Sequence, residues 1–256
     1  MAKKVKVAAV QMRVTLSPRK NLERLLFFLK KAAKQKVDIA CFPEDCILEH
    51  PFQTKEKDNS LEEIRKACKR LKIHCIYGTY VKEKKKFLNC AFLIDNNGKI
   101  KYRYEKIHLW KGDVKEKVSR GRQDIPIKTK FGKIGIVICY DINFPELIKK
   151  LAKGGAWIVF CPTFDVLTKK EKKNIKRYKK VFSFGAPVVK AFENEVFIVV
   201  ADVYTKPKIA TGASVICSPY QYKIMKKIEN KEGMIVADLN PNEVKIMRKK
   251  EDLLKY

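Results

Sequence analysis

Gly135-Ile136-Val137-Ile138-Cys139-Tyr140-Asp141-Ile142-Asn143-Phe144-Pro145-Glu146-Leu147 is the stretch on which the reading of this chain turns. The apolar run before Cys139 has the form of a buried strand. Pro145 suits the first position of a helix, and Phe144, Leu147, Ile148 and Leu151 then recur at helical spacing. The pattern predicts strand, sharp turn, thiol and helix. A sulfur beside a helix N-terminus feels the positive end of the backbone dipole, which favours the nucleophilic thiolate. A free cysteine is also often a small buried hydrophobe, and position alone leaves both readings open.

Two further segments supply the charges that a cysteine hydrolase needs. Val37-Asp38-Ile39-Ala40-Cys41-Phe42 reads as a short strand, and Glu44 in Cys41-Phe42-Pro43-Glu44 emerges past its C-terminal end, where open α/β sheets place their sites. A carboxylate there can take the thiol proton. Lys106 ends the β-favouring run Ile100-Lys101-Tyr102-Arg103-Tyr104-Glu105 and opens Lys106-Ile107-His108-Leu109, so its ammonium can stabilise an oxyanion. Taken singly, each reads first as an ordinary surface charge.

In their order along the chain, Phe-Pro-Glu, Lys-x-His-Leu and Cys-Tyr-Asp-x-x-Phe-Pro-Glu-Leu resemble the nitrilase (carbon-nitrogen hydrolase) superfamily. Lys190-Ala191-Phe192-Glu193-Asn194 is similar to the family's Arg-Ala-x-Glu-Asn segment, and Gly212-Ala213-Ser214 with Pro219 extends the likeness from about Val5 to about Leu239. The resemblance implies an α/β fold, a four-layer α-β-β-α sandwich of the nitrilase type. It implies Cys139 as nucleophile, Glu44 as general base and Lys106 as oxyanion-stabilising cation. It also implies a second glutamate between the lysine and the cysteine, with Glu116 the first candidate and Asp113 a possible substitute. Family members that act on nitriles tend to carry Trp-Glu after the nucleophile, whereas those that act on amides or carbamoyl groups tend to carry Tyr-Asp, as Tyr140-Asp141 do here. The implied substrate is therefore a small amide or N-carbamoyl compound, with no cofactor. Tyr140, Asn143, Thr163 and Phe164 are expected on the substrate pocket. Asn143 stands where the family often has arginine, Gln221 near where it often has glycine, and the stretch 163–180 lacks a His-Trp found in many relatives.

A Cys-His dyad is the rival chemistry, and His50, His74 and His108 are the three histidines available for it. His74 lies in a strand pattern, His50 precedes Pro51 in a turn, and His108 belongs to the Lys-x-His-Leu motif, so structural roles are expected for all three. The eight cysteines are scattered without Cys-x-x-Cys or clustered histidines. That spacing points to buried thiols rather than zinc or a disulfide framework. No leading apolar stretch and no membrane-length run is seen, and the expected compartment is the cytoplasm.

The 256 residues fit one domain, 1–256, without repeats or linkers. Val5–Val10 reads as a strand, and Ser17-Pro18 caps a helix from about Arg19. Asp95-Asn96-Asn97-Gly98 joins two strands as a hairpin, and further strands are expected at 156–161, 196–201, 214–217 and 234–239. The stretch 241–256 either reaches across to a neighbouring subunit, as an interface extension of a homodimer or higher oligomer, or folds back on its own chain.

Charge is the outlying property: 57 Lys plus Arg against 28 Asp plus Glu give a formal +29. The densest run, 169–180, carries eight basic residues in twelve, and Ile175, Tyr178 and Phe182 at helical spacing predict an amphipathic helix there. A lysine-rich composition, an anionic substrate steered electrostatically and nucleic-acid binding all fit such a surface. The lack of a nucleic-acid motif or of an aromatic-interleaved basic platform argues against the third.

Overall fold

The computed structural model describes residues 3–48, 59–206 and 209–255. Among the described residues, twelve strands form one hydrogen-bonded ladder that folds into two facing layers. The strands are β1 (Val5–Arg13), β2 (Ile39–Cys41), β3 (His74–Glu83), β4 (Lys86–Ile94), β5 (Ile100–Glu105), β6 (Ile127–Thr129), β7 (Gly132–Ile136), β8 (Ile158–Thr163), β9 (Phe197–Tyr204), β10 (Ala213–Ser218), β11 (Lys223–Glu229) and β12 (Gly233–Leu239). One layer runs β12-β1-β2-β3-β4-β5 and the other β11-β10-β9-β8-β7-β6. They join where Met12 and Arg13 pair with Val203 and Tyr204.

Alternation along each strand builds the layers, because successive side chains point to opposite faces. Val5, Val7 and Ala9 of β1 meet Ile134, Ile136, Ile158, Phe160, Phe197 and Val199 in the core between the sheets. Ala8, Val10 and Met12 face the other way, onto Leu22, Leu25 and Leu29 of α1 (Pro18–Lys34) and Ile64 and Cys68 of α2 (Ser60–Leu71). On the second sheet, Val159, Ile198 and Val200 face a third core. There they meet Leu147, Ile148 and Leu151 of the Pro145–Lys153 helix and Ala191 of the Ala186–Glu193 helix. Three cores between four layers give the expected α-β-β-α sandwich.

The remaining helices in chain order are α3 (Lys111–Lys115), α4 (Pro145–Lys153), α5 (Lys169–Lys173), α6 (Ile175–Tyr178), α7 (Ala186–Glu193) and α8 (Pro241–Lys250). Ser17 caps α1, its side chain accepting from the Lys20 N–H, and Pro145 occupies the first turn of α4. The basic run departs from expectation. α5 ends at Lys173, α6 is a separate short turn, and a π-helical stretch, Lys179–Gly185, leads into α7. Ile175, Tyr178 and Phe182 do not make an inward stripe, and Phe182 is 55% exposed. The Tyr178 hydroxyl instead donates to Asp165 Oδ1 at 2.9 Å, which turns the ring toward the end of β8.

α8 lies on its own chain, with Val244 and Met247 buried. Arg248 donates to the Ala156 carbonyl at 2.7 Å, and the Leu253 N–H donates to Glu195 Oε1 at 3.2 Å. Among the described residues no helix is long and apolar enough to cross a membrane. Seven cysteines are buried and Cys139 is half-buried.

Candidate active site

β1, β2, β3 and β9 run parallel, as do β7, β8 and β9, and β5 is returned to the same direction by the two antiparallel steps through β4. Their C-terminal ends therefore open at one side of the sandwich. Glu44 follows β2, Lys106 follows β5, Cys139 follows β7, and Thr163 ends β8. All four line one cavity of about 1040 Å³, together with Asp113, Glu116, Tyr140, Asn143 and Phe164.

Close backbone contacts place the first two. A Cβ on Gly78 would lie 2.6 Å from the Glu44 Cα, so only glycine lets the Glu44 loop rest on β3. The Gly78 N–H donates to the Pro43 carbonyl at 3.0 Å, and Cys46 N–H donates back to the Gly78 carbonyl at 3.1 Å. Gly121 does the same for the lysine: its N–H donates to the Lys106 carbonyl at 2.9 Å, and a Cβ there would stand 2.2 Å from the Glu105 carbonyl oxygen.

Cys139 sits at φ +46° and opens a tight turn, Cys139–Asn143, before α4. A non-glycine residue in this region is strained and needs a surrounding that enforces it. Asp141, fully buried, is the enforcing group. Its Oδ2 accepts from the Ile138 N–H at 3.0 Å and the Tyr104 hydroxyl at 2.8 Å, and its Oδ1 accepts from the His108 N–H at 2.7 Å. His108 Nδ1 lies 3.0 Å from the same oxygen, and the imidazole stacks on Phe144. Burial pushes the Asp141 carboxyl up, against the pull of its hydrogen bonds from His108, Ile138 and Tyr104. The Asp of the motif thus builds the turn from behind, and Asp141 and His108 do not line the cavity.

Lys106 is 2% exposed, and its Nζ donates to Glu44 Oε1 at 2.8 Å and Asp113 Oδ2 at 2.7 Å. Burial opposes its charge, but Glu44, Cys139 and Asp113 together outweigh burial and push the ammonium well above the usual lysine range. Asp113 also accepts from the Trp110 N–H at 2.9 Å and the Tyr80 hydroxyl at 3.0 Å. Glu116 lies at the exposed C-terminal end of α3, on the cavity rim. Of the two acids considered for the fourth position, Asp113 is the one in contact with Lys106. Less than one helical turn separates them, and spacing in the sequence does not resolve it.

The Cys139 thiol is pushed well up, first by burial and then by Glu44, with Lys106 pulling the other way. This overturns the expectation of a dipole-favoured thiolate. α4 starts only at Pro145, and the nearest strong negative group is a carboxylate, so the resting sulfur holds its proton and needs a base. Thr163 Oγ1 donates to the Cys161 carbonyl at 3.1 Å, and the Phe164 N–H donates to Glu44 Oε2 at 2.9 Å. His74 is buried against Phe131, its imidazole lowered to about 4 by burial and then Lys130, and it lies away from the cavity. His50 lies outside the described residues. Among the described residues no cluster of three or more metal-binding side chains occurs.

A sequence profile described as carbon-nitrogen hydrolase matches residues 6–249. The chain belongs to the carbon-nitrogen hydrolase family. It is 26% identical to the omega-amidase NIT3 of Saccharomyces cerevisiae, over 100% of this chain and 94% of that protein. It is 24% identical to the deaminated glutathione amidase of Synechocystis sp., over 97% and 96% of the two chains. The fold superposes on the carbon-nitrogen hydrolase from Helicobacter pylori G27 with a TM-score of 0.88 at 18% identity, covering 99% of this chain and 95% of the other. Saccharomyces cerevisiae Nit3, described as a member of branch 10 of the nitrilase superfamily, superposes with a TM-score of 0.83 at 24% identity, covering 96% and 94%. This carbon-nitrogen hydrolase also carries site residues that motif reading passed over. Asn89 and Tyr80 hold the Glu44–Asp113 cluster, and Asp202 is 1% exposed beside Asp165. The available signal for Asn89 was a lone amide within the apolar run Phe87-Leu88-Asn89-Cys90-Ala91-Phe92.

Proposed function

We propose that the chain hydrolyses the C–N bond of a small amide or N-carbamoyl substrate through a thioester on Cys139. Glu44 takes the thiol proton as sulfur attacks the carbonyl carbon. The tetrahedral oxyanion is held by Lys106 and by the backbone N–H of Tyr140. On collapse the C–N bond breaks, and Glu44 returns its proton to the leaving ammonia or amine. A water then attacks the thioester, Glu44 takes its proton, and cleavage of the C–S bond restores the thiol and releases the acid.

One observation carries this reading. The Lys106 ammonium has three N–H groups, of which two are given to Glu44 and Asp113, so one remains for a substrate oxygen in the cavity that Cys139 enters. The raised thiol supports it as well, since a neutral cysteine needs the adjacent Glu44. The amidase names of the relatives favour an amide over a nitrile. Lys111, Lys170 and Arg177 on the cavity rim suit a substrate with an acidic end, such as the ω-amide of a dicarboxylic acid. A carbamoylated polyamine is disfavoured by like charge.

Ammonia release from ω-amides, N-carbamoyl acids, simple amides and nitriles tests the reading. The expected result is turnover of one carbonyl class that disappears in Cys139→Ala. Equal release by the variant, or turnover of nitriles alone, overturns it. The reading includes assembly at least as a dimer; light scattering that returns only a 29.7 kDa species refutes that part.

A further inference from the structure

Tyr80 and Asn89 are cross-strand partners in the antiparallel register of β3 and β4, and stand side by side beneath the charged cluster. Asn89 is 1% exposed. Its Nδ2 donates to Glu44 Oε1 at 2.7 Å and lies 3.3 Å from Asp113 Oδ1, so one amide touches both carboxylates. Its own Oδ1 is buried with no hydrogen-bond partner. An unsatisfied buried acceptor opposes stability and calls for a reason to keep the amide there. Rotating the amide would set Oδ1 against two carboxylate oxygens, so its orientation is fixed by charge.

A carboxylate oxygen offers two in-plane acceptor positions. Glu44 Oε1 uses both, one for Lys106 Nζ at 2.8 Å and one for Asn89 Nδ2 at 2.7 Å. Oε2 uses one, for the Phe164 N–H at 2.9 Å. The remaining acceptor position of Glu44 is therefore on Oε2. We propose that Asn89 is a positioning residue that saturates Glu44 Oε1 and so makes Oε2 the oxygen through which the base accepts and returns the Cys139 proton.

The proposal rests on Glu44 as the general base. Without the amide, Oε1 becomes a competing proton site on the lysine side of the carboxylate, and a proton held there cannot reach the leaving group. Losing a donor to the ionised form also makes the carboxylate easier to protonate, so the acid limb of activity should move to higher pH.

The test measures kcat, KM and the pH dependence of Cys139 alkylation by iodoacetamide in wild type, Asn89→Leu and Asn89→Asp. Asn89→Leu is expected to lower kcat by about 10-fold or more with KM within about 3-fold, and to raise the acid limb of alkylation by roughly one pH unit. Asn89→Asp keeps the shape of the side chain and sets a third carboxylate on the cluster, which moves the limb further in the same direction. A lowered kcat with the wild-type limb reduces Asn89 to a structural part, and wild-type kcat removes it altogether; either overturns the proposal. Should Asn89→Leu not fold, Asn89→Asp decides alone. Alkylation needs no knowledge of the substrate, so a wild type silent toward every amide would sink the amidase reading while the limb still reports on Asn89.

Discussion

Two acid pairs face the same cavity, and one lysine separates their behaviour. Glu44 and Asp113 share the Lys106 ammonium, with contacts of 2.8 and 2.7 Å. Asp165 and Asp202 have no cation in contact with them among the described residues. They rely on neutral donors: the Tyr178 hydroxyl on Asp165, and the N–H groups of Val203, Ala213 and Asp165 with the Thr211 hydroxyl on Asp202. Burial first, then Asp202, pushes the Asp165 carboxyl up to about 7, and burial pushes Asp202 up to about 6 against those hydrogen bonds. Hydrogen bonds alone thus leave a pair of acids that protonates readily, whereas a buried cation lets two carboxylates be packed together.

Removing the lysine breaks the comparison most severely. Lys106→Met turns the first pair into a copy of the second, and turnover should fall at least 100-fold, from about 2.7 to 4 kcal/mol of lost oxyanion stabilisation. Stability should fall by about 3 to 5 kcal/mol at pH 8, because two carboxylates are left buried without their partner. Urea unfolding of the variant measures this, and unchanged stability would mean that the cation serves chemistry alone.

A smaller effect separates the two acids considered for the fourth position. Asp113→Asn should lower turnover on the order of 10-fold or more, since Lys106 loses one of its two charged partners. Glu116→Gln, on the exposed rim, should stay within about 3-fold. The reverse ranking in steady-state kinetics would return the role to Glu116.

The smallest effect sharpens the other pair. The Asp165 carboxyl is raised from 3.8 to about 7 in the fold, so between these values the folded chain holds a proton that the unfolded chain has released. Wild-type stability therefore declines as pH rises through that window and levels off above it. Asp165→Asn keeps an acceptor for Tyr178 and removes the Asp165 share of the decline. The difference in Tm, variant minus wild type, should grow by about 2–4 °C from pH 4 to pH 7, for roughly 1 kcal/mol at a solvent-screened group. A pH-independent difference would show that the pair does not share its protons this way.

The elements that set the fold were legible because local signals agreed with it. Alternation marked the strands, Ser17-Pro18 and Pro145 marked helix starts, and Asp95-Asn96-Asn97-Gly98 marked a hairpin, as found between β4 and β5. Residues beside motif landmarks were legible too: Glu44, Lys106, Cys139, Tyr140, Asn143, Thr163 and Phe164 all reach one cavity. Three features were not. Asn89 meets Glu44 across 45 positions of sequence, and only the β3–β4 register reveals it. Asp113 and Glu116 differ by less than one turn of helix. The run 169–180 has helical spacing, but the bond from Tyr178 to Asp165 outweighs a stripe that has no core to face.

The two sheets contribute unequally to the chemistry, and that division has a consequence for how the chain acquires it. Glu44, Lys106, Asp113 and Asn89 come from the first layer, Cys139, Thr163 and Phe164 from the second, and the Phe164 N–H reaching Glu44 Oε2 bridges the two. Neither layer alone holds both the proposed nucleophile and the proposed base. During refolding, the Cys139 thiol and the Glu44 carboxylate therefore meet only when the layers dock, which makes the recovery of turnover an internal clock for the last long-range step of assembly.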